Sequence, residues 1–280
     1  MGVRLSMTRR IAFSSGLRFW LPQLGETENR ARFGPLASPF NHGHNYLLEV
    51  NVSGEIHPTT GMILNIKIID DLLQETVVAR FDRKSINDQI PEFVARPPTL
   101  ENLLLYFWGQ FEQPIFPHVV QLESLLLTST PLLHVKLERS QPAGIMTLTR
   151  QYEFAASHRL TAPGLSAEEN LQLFGKCTNP AGHGHNYLLE VTVTGAPDEK
   201  TGMLVDLVEM DRIVNERVVD RYDHKHLNCD VPELQDSNPT SEIVAKAIFG
   251  ELVGRLPAKL MKIRLHETAR SSFEVTEADR

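Results

Sequence analysis

The 280-residue chain of 31.6 kDa is 41% hydrophobic and 22% charged with no biased tract, which fits two ordinary folded domains and excludes a disordered chain. A net charge of −7 and a pI near 5.9 argue against a nucleic-acid partner. With only Cys177 and Cys229, and with no apolar run of membrane-spanning length, a cytoplasmic protein with no disulfide framework and no membrane partner is expected.

The opening MGVRLS fits the loose Gly2 myristoylation pattern, a short motif that requires a dedicated enzyme. From Phe13 onward a second signal takes over. Sliding the sequence against itself by 141 residues pairs Phe13 with Phe154, Asn29 with Asn170, Phe33 with Phe174, and HGHNYLLEV at His42 with the identical nine residues at His183. The same offset pairs TGM at Thr60 with TGM at Thr201, Asp82 with Asp223, Asn87 with Asn228 and Thr99 with Thr240, without a gap. Self-similarity of this extent marks a duplicated domain, divided at 1–146 and 147–280. Further on, the apolar and charged pattern sets VKLERS at Val135 against IRLHET at Ile263, which pairs Arg139 with Glu267. It leaves the first copy about thirteen residues longer in its Pro- and Leu-rich stretch 113–131, and SQPAGIMT at 140–147 is the link.

Each copy reads as ββααββ, most clearly in the second. Alternating apolar residues predict strands in TLTRQYEFAAS (147–157) and HNYLLEVTVTG (185–195). Leu207, Met210, Val214 and Val218 recur at helical spacing behind Asp206, a suitable N-cap. A second helix is expected after NPTSE, capped by Thr240 or Ser241 with Glu242 in its first turn. Two strands follow, near 260–267 and 272–276. The fold class is therefore α+β, with an antiparallel four-stranded sheet in each copy.

The chemistry gathers in the second copy. His183 and His185, two apart, share one face of a strand, and His158 ends the preceding strand, so a hairpin would converge three imidazoles. Three neutral histidines without a fourth protein ligand describe a zinc site with an open position, although H-x-H alone equally describes two polar residues on a solvated face. Cys177 lies six residues before His183, where nearby positive charge would favour its thiolate. Asp223 precedes His224 and, in a loop, can orient it as part of a Cys, His and Asp relay. Glu267 ends an apolar strand, where a ligand's N–H groups could satisfy it. Set against these, the first copy has Leu17 for His158, Leu36 for Cys177, Arg83 for His224 and Arg139 for Glu267, and keeps His42, His44 and Asp82. One working metal centre per chain is expected. The first pocket is left either structural or, through Arg83, Arg139, His42 and His44, anion-selective.

YEFAASHRL, FGKCTNPAGHGHNYLLEV, TGMLVDL, YDHKHLN, NPTSE and RLHET together resemble the 6-pyruvoyl-tetrahydropterin synthase family across nearly the whole second half. The first half resembles it in framework only. The resemblance implies two tandem tunnelling-fold domains, whose sheets join between subunits into oligomeric barrels with active sites between neighbours. It implies zinc on His158, His183 and His185, Cys177 as proton-abstracting base, and Asp223 with His224 as its relay. It further implies that Glu267 anchors the pterin, with Thr240 and Ser241 nearby. The implied partners are a small pterin substrate, 7,8-dihydroneopterin triphosphate, and further copies of the chain. The spacing between Cys177 and His183 looks more like the pyruvoyl branch than the 6-carboxytetrahydropterin branch of queuosine synthesis. A non-catalytic pterin-binding scaffold accounts for the first half and poorly for the second, and another zinc-dependent lyase or hydrolase would leave Cys177 without a role.

Overall fold

The computed structural model describes residues 4–112 and 120–279; Gly2 and the Pro-rich start of the 113–131 stretch lie outside them. The chain divides into two compact units, Met1–Leu148 with Gly195–Leu204, and Thr149–Thr194 with Val205–Arg280. Among the described residues no helix is long and apolar enough to cross a membrane.

The first unit is built on an antiparallel sheet of β1 (Arg4–Leu17), β2 (His42–Glu55), β3 (Val120–Thr130) and β4 (Leu133–Glu138), each paired with its neighbour in sequence. The two residues Lys84–Ser85 add a short parallel partner to β1. Strand alternation puts Tyr46, Leu48, Val50 and Val52 on the buried face of β2. Helices α1 (Glu26–Phe33), α2 (Ile66–Leu73) and α3 (Leu100–Glu112) add Phe33, Ile69, Leu73, Leu103 and Phe107 to the buried residues, with α2 packed on β1 and α3 on β3 and β4.

The second unit repeats the plan with β5 (Met146–His158), β6 (His183–Gly195), β7 (Lys259–Thr268) and β8 (Ser271–Thr276). Lys225–His226 lies parallel to β5. Helices α4 (Ala167–Phe174), α5 (Leu207–Val214) and α6 (Ser241–Leu252) line the unit. Asp206 caps α5 as its sequence position implies, accepting from the Val208 and Glu209 amides. Thr240 is the N-cap of α6 without a side-chain cap bond. Phe154 stacks on Tyr187 at 5.1 Å in a core that includes Val191, Met210, Val214, Ile248 and Leu265.

Two irregularities recur at the 141-residue offset and tie fold to site. After α2 and α5 the helix widens into a π-turn, 74–78 and 215–219, before a last α-turn ends at Phe81 and Tyr222. The chain then passes through Asp82 or Asp223 in extended conformation to Arg83 or His224, both at φ 56°, a left-handed conformation uncommon for a residue with a side chain. The amide of each is held by the strand ahead, Arg83 by Ser14 O and His224 by Ala155 O, both at 2.6 Å.

Strand register corrects one sequence expectation. Leu48 pairs with Leu127, and Leu189 with Leu265. Leu189 lies 141 residues beyond Leu48, whereas Leu265 lies 138 beyond Leu127, so the first copy is longer by three residues here rather than thirteen. The register shift at Asn51/Val52 recurs at Thr192/Val193 and confirms the offset. LLLTST, not VKLERS, is the counterpart of IRLHET, and Ser129 stands where the second copy has Glu267. Arg139 is engaged elsewhere. Its Nε donates to Leu122 O at 2.6 Å, a terminal nitrogen pairs with Glu112 at 3.2 Å, and the guanidinium covers Trp108.

Candidate metal centre and active site

His158 is carried to the site by the end of β5, His183 and His185 by the start of β6. Their ligand nitrogens all lie within 4.8 Å of one another. His158 Nε2 and His183 Nε2 are 3.2 Å apart, and the ring centroids are separated by 4.6 to 5.3 Å. His158 is buried, and its Nδ1 lies 2.8 Å from the Pro239 carbonyl, which can only accept, so the proton sits on Nδ1, donates to that oxygen and leaves Nε2 a free lone pair. Burial pushes the His158 and His183 imidazoles below their ordinary pKa, and the neighbouring His185 lowers His183 further, which favours the neutral, ligating form. His183 Nδ1 and His185 Nε2 are buried without a hydrogen-bond partner among the described residues. A buried nitrogen without a partner is costly unless something satisfies it, and a divalent cation with an affinity for imidazole, met by the converging ligand nitrogens, fits this donor set.

Glu267, at the end of β7, approaches the same point: Oε1 is 3.9 Å from both His158 Nε2 and His185 Nε2 and accepts a 2.7 Å hydrogen bond from Ser241 Oγ. Ser241 is buried at the first position of α6. In the first copy Leu100 and Ser129 occupy these two places, so donor and acceptor have both gone.

Asp223 bridges strand and imidazole. Its Oδ1 accepts from the Ala155 amide at 2.7 Å and its Oδ2 lies 2.7 Å from His224 Nδ1. These bonds, the backbone one foremost, hold its carboxyl below the usual range. His224 is largely exposed and borders an open cavity of about 860 Å³ together with His185, Asn186, Lys225, His226 and Asp230. Cys177 sits half-buried on the 3₁₀ turn Gly175–Thr178, and its carbonyl accepts from Leu160 N at 2.9 Å, which ties that turn to the chain just past His158. The structure thus joins the three histidines with Glu267 and Ser241 in one cluster, and Asp223 with His224 in another that shares a cavity with His185. Cys177 and Thr240 border these groups through backbone connections.

The corresponding region of the first copy has Leu17 buried beside His42, with His42 and His44 in edge-to-face contact at 5.1 Å. Arg83 is 90% exposed along its side chain and borders a cavity with His44 and Lys84. Arg139 is not among the residues lining that cavity, which removes it from the anion-selective set. One residue of the second site was missed in the sequence: His226, whose ring lines the cavity and whose Nδ1 is buried without a partner. Its signal was available, since the first copy has Ser85 there.

Fold and site together define a class: a tandem pair of tunnelling-fold domains in which the second holds a three-histidine centre beside a half-buried carboxylate. The chain belongs to the 6-pyruvoyl tetrahydropterin synthase family, whose model matches twice, at residues 6–139 and 147–278. Among characterised relatives, the 6-pyruvoyl tetrahydrobiopterin synthase of Pongo abelii is 46% identical over 122 residues, 43% of this chain and 84% of its own length. That of Homo sapiens is 45% identical over the same shares. The structure of Caenorhabditis elegans 6-pyruvoyl tetrahydropterin synthase is 36% identical over 47% of this chain and 95% of its own, with a TM-score of 0.45.

Proposed function

We propose that the chain is a zinc-dependent lyase that converts 7,8-dihydroneopterin triphosphate to 6-pyruvoyl-tetrahydropterin with release of triphosphate, and that the second copy alone performs the reaction. The observation that carries this reading is the three-imidazole cluster, present in the second copy and broken in the first by Leu17.

His158, His183 and His185 would hold the zinc, which when bound supplies Lewis-acid polarisation of the substrate's side-chain oxygens. Glu267, kept in place by Ser241, accepts hydrogen bonds from the N–H groups of the pterin's guanidine-like edge and so orients the side chain toward the histidines. Thr240, at the start of α6, borders the same edge. Cys177 removes a carbon-bound proton from the polarised side chain. His224, oriented through Nδ1 by Asp223, carries a proton at Nε2 to and from the substrate as triphosphate leaves. The rearrangement is internal and needs no external redox cofactor. We further place the functional boundary between 1–146, non-catalytic, and 147–280, catalytic, in a cytoplasmic protein.

Incubation with 7,8-dihydroneopterin triphosphate and zinc tests the reading. Release of triphosphate without acetaldehyde supports it, acetaldehyde assigns the 6-carboxytetrahydropterin reaction instead, and binding without turnover assigns a scaffold.

A further inference from the structure

The turn that leads from Cys177 to His183 rests on a side chain that the mechanism does not use. Gly182 has φ +74°, and a β-carbon built on it would stand 2.8 Å from His226 Nε2 and 3.0 Å from the His158 carbonyl oxygen. Both distances are below ordinary contact, so the bare backbone of Gly182 is wedged between the imidazole of His226 and the main chain of one histidine, immediately ahead of another. The turn is closed by Gly182 N on Asn179 O at 2.8 Å and by Ala181 N on Asn179 Oδ1 at 3.1 Å. His226 is itself anchored: its amide donates to Asp230 Oδ2 at 2.8 Å, and its residue pairs with Ser157, next to His158.

The first copy keeps the anchor and reverses the wedge. Ser85 N donates to Gln89 Oε1 at 2.7 Å, as His226 N does to Asp230, but the wall residue is small and the turn residue is large: Asn41 stands in place of Gly182 and donates from Nδ2 to Ser85 Oγ at 2.9 Å. A large wall with a small turn in one copy, and a small wall with a large turn in the other, is a complementary pair that changed together.

We propose that His226 is a positioning residue of the metal centre: its ring sets the turn that carries Cys177 and His183, and Gly182 is the recess that receives it. The inference rests on the three-histidine centre proposed above. Residues that orient metal ligands from outside the coordination set typically alter metal affinity by about 10- to 100-fold.

The test is a double-substitution cycle of Gly182→Ala and His226→Ser in the full chain, in a Cys229→Ser background so that Cys177 is the only thiol. The readouts are zinc affinity by competition with a chelating dye, the visible spectrum of the cobalt-loaded protein, and the rate of Cys177 alkylation by iodoacetamide without metal. Each single substitution is expected to weaken zinc by about tenfold, to shift the cobalt spectrum and to change the alkylation rate. The pair is expected to lose less than the product of the two single losses, because the obstructing ring is gone while the left-handed backbone and the His158 carbonyl still oppose the added β-carbon. Losses that multiply in the double variant overturn the inference. Should Gly182→Ala not fold, His226→Ser decides alone: a lowered unfolding midpoint with zinc affinity, spectrum and alkylation unchanged leaves His226 a mere packing residue. None of these readouts needs turnover, so coupled substitutions in a chain that releases no triphosphate would refute the lyase and keep the positioning role. A parent protein that takes up no zinc refutes the centre itself.

Discussion

Asp223 does two things with its two oxygens, and only one is chemistry. The bond from Oδ1 to the Ala155 amide recurs in the first copy, where Asp82 Oδ1 accepts from Ser14 N at 2.8 Å. Persistence of Asp82 therefore reflects a backbone requirement, while the second oxygen faces an arginine in one copy and an imidazole in the other. Cys177 has no such structural duty for its side chain: the contact that fixes its turn is made by its carbonyl. Cys177→Ala should accordingly retain zinc and pterin binding and lose about 100- to 10,000-fold in turnover, measured as triphosphate release at saturating substrate; full turnover would remove the sulfur from the mechanism. The histidines give a pH signature in the metal-free protein. His158 and His183 have folded pKa values below the ordinary 6.5 because burial disfavours the imidazolium. As pH falls through about 6.5 the unfolded chain takes up protons first, so the folded state loses stability, and the slope vanishes once the folded imidazoles also protonate. Thermal midpoints should fall from pH 7.5 to pH 5, and less steeply in His158→Leu; identical slopes would mean that His158 is not held neutral by the fold.

At the scale of elements, what could be read in advance followed from periodicity. The strands through Phe154 and Tyr187 and the helix behind Asp206 announce themselves by apolar spacing, and His183 with His185 share a face because strand side chains alternate. Two things escaped for physical reasons. LLLTST has no charged residue to align with IRLHET, so the pattern of VKLERS matched better than the true counterpart, and only the hydrogen-bonded register with β2 shows that Ser129 replaces Glu267. The His226 and Gly182 wedge joins residues 44 apart in sequence through a left-handed turn, and neither residue type signals such a contact. The π-turns explain the joint that follows them: an extra residue in the turn precedes the extended Asp82 or Asp223, whose carboxylate reaches back to β1 or β5. Asp82→Ala should thus leave the Ser14 amide without its partner and lower stability by about 1–3 kcal/mol, read as a depressed unfolding midpoint, while zinc uptake and turnover stay at parental levels. An unchanged midpoint would show that the carboxylate does not clamp the strand.

For the molecule as a whole, the question is what the first copy, in which candidate site residues are replaced, contributes. Its changes go together: His158, the acceptor Glu267 and its donor Ser241 have Leu17, Ser129 and Leu100 as counterparts, while framework asparagines persist because they satisfy buried backbone. Asn29 bridges Leu21 N and O, and Asn170 does the same for Ala162. Zinc analysis of the folded chain should therefore find about one ion per 280-residue chain, and two would place a centre at His42 and His44 after all. The sheets supply a reason to keep the scaffold. β8 is a terminal strand, and its free edge of N–H and C=O groups is a liability unless another strand covers it. The sheet near this edge is also polar: Glu190 pairs with His266 at 3.3 Å and Glu274 with Arg264 at 2.8 Å, cross-strand contacts suited to a wet interior rather than to an apolar partner. Edges that pair from chain to chain around such a surface predict a homo-oligomer, with the first copy supplying barrel wall rather than chemistry. Light scattering should give a mass that is a multiple of 31.6 kDa, and a monomer across the concentrations at which the protein turns over substrate would leave the retained copy without this explanation.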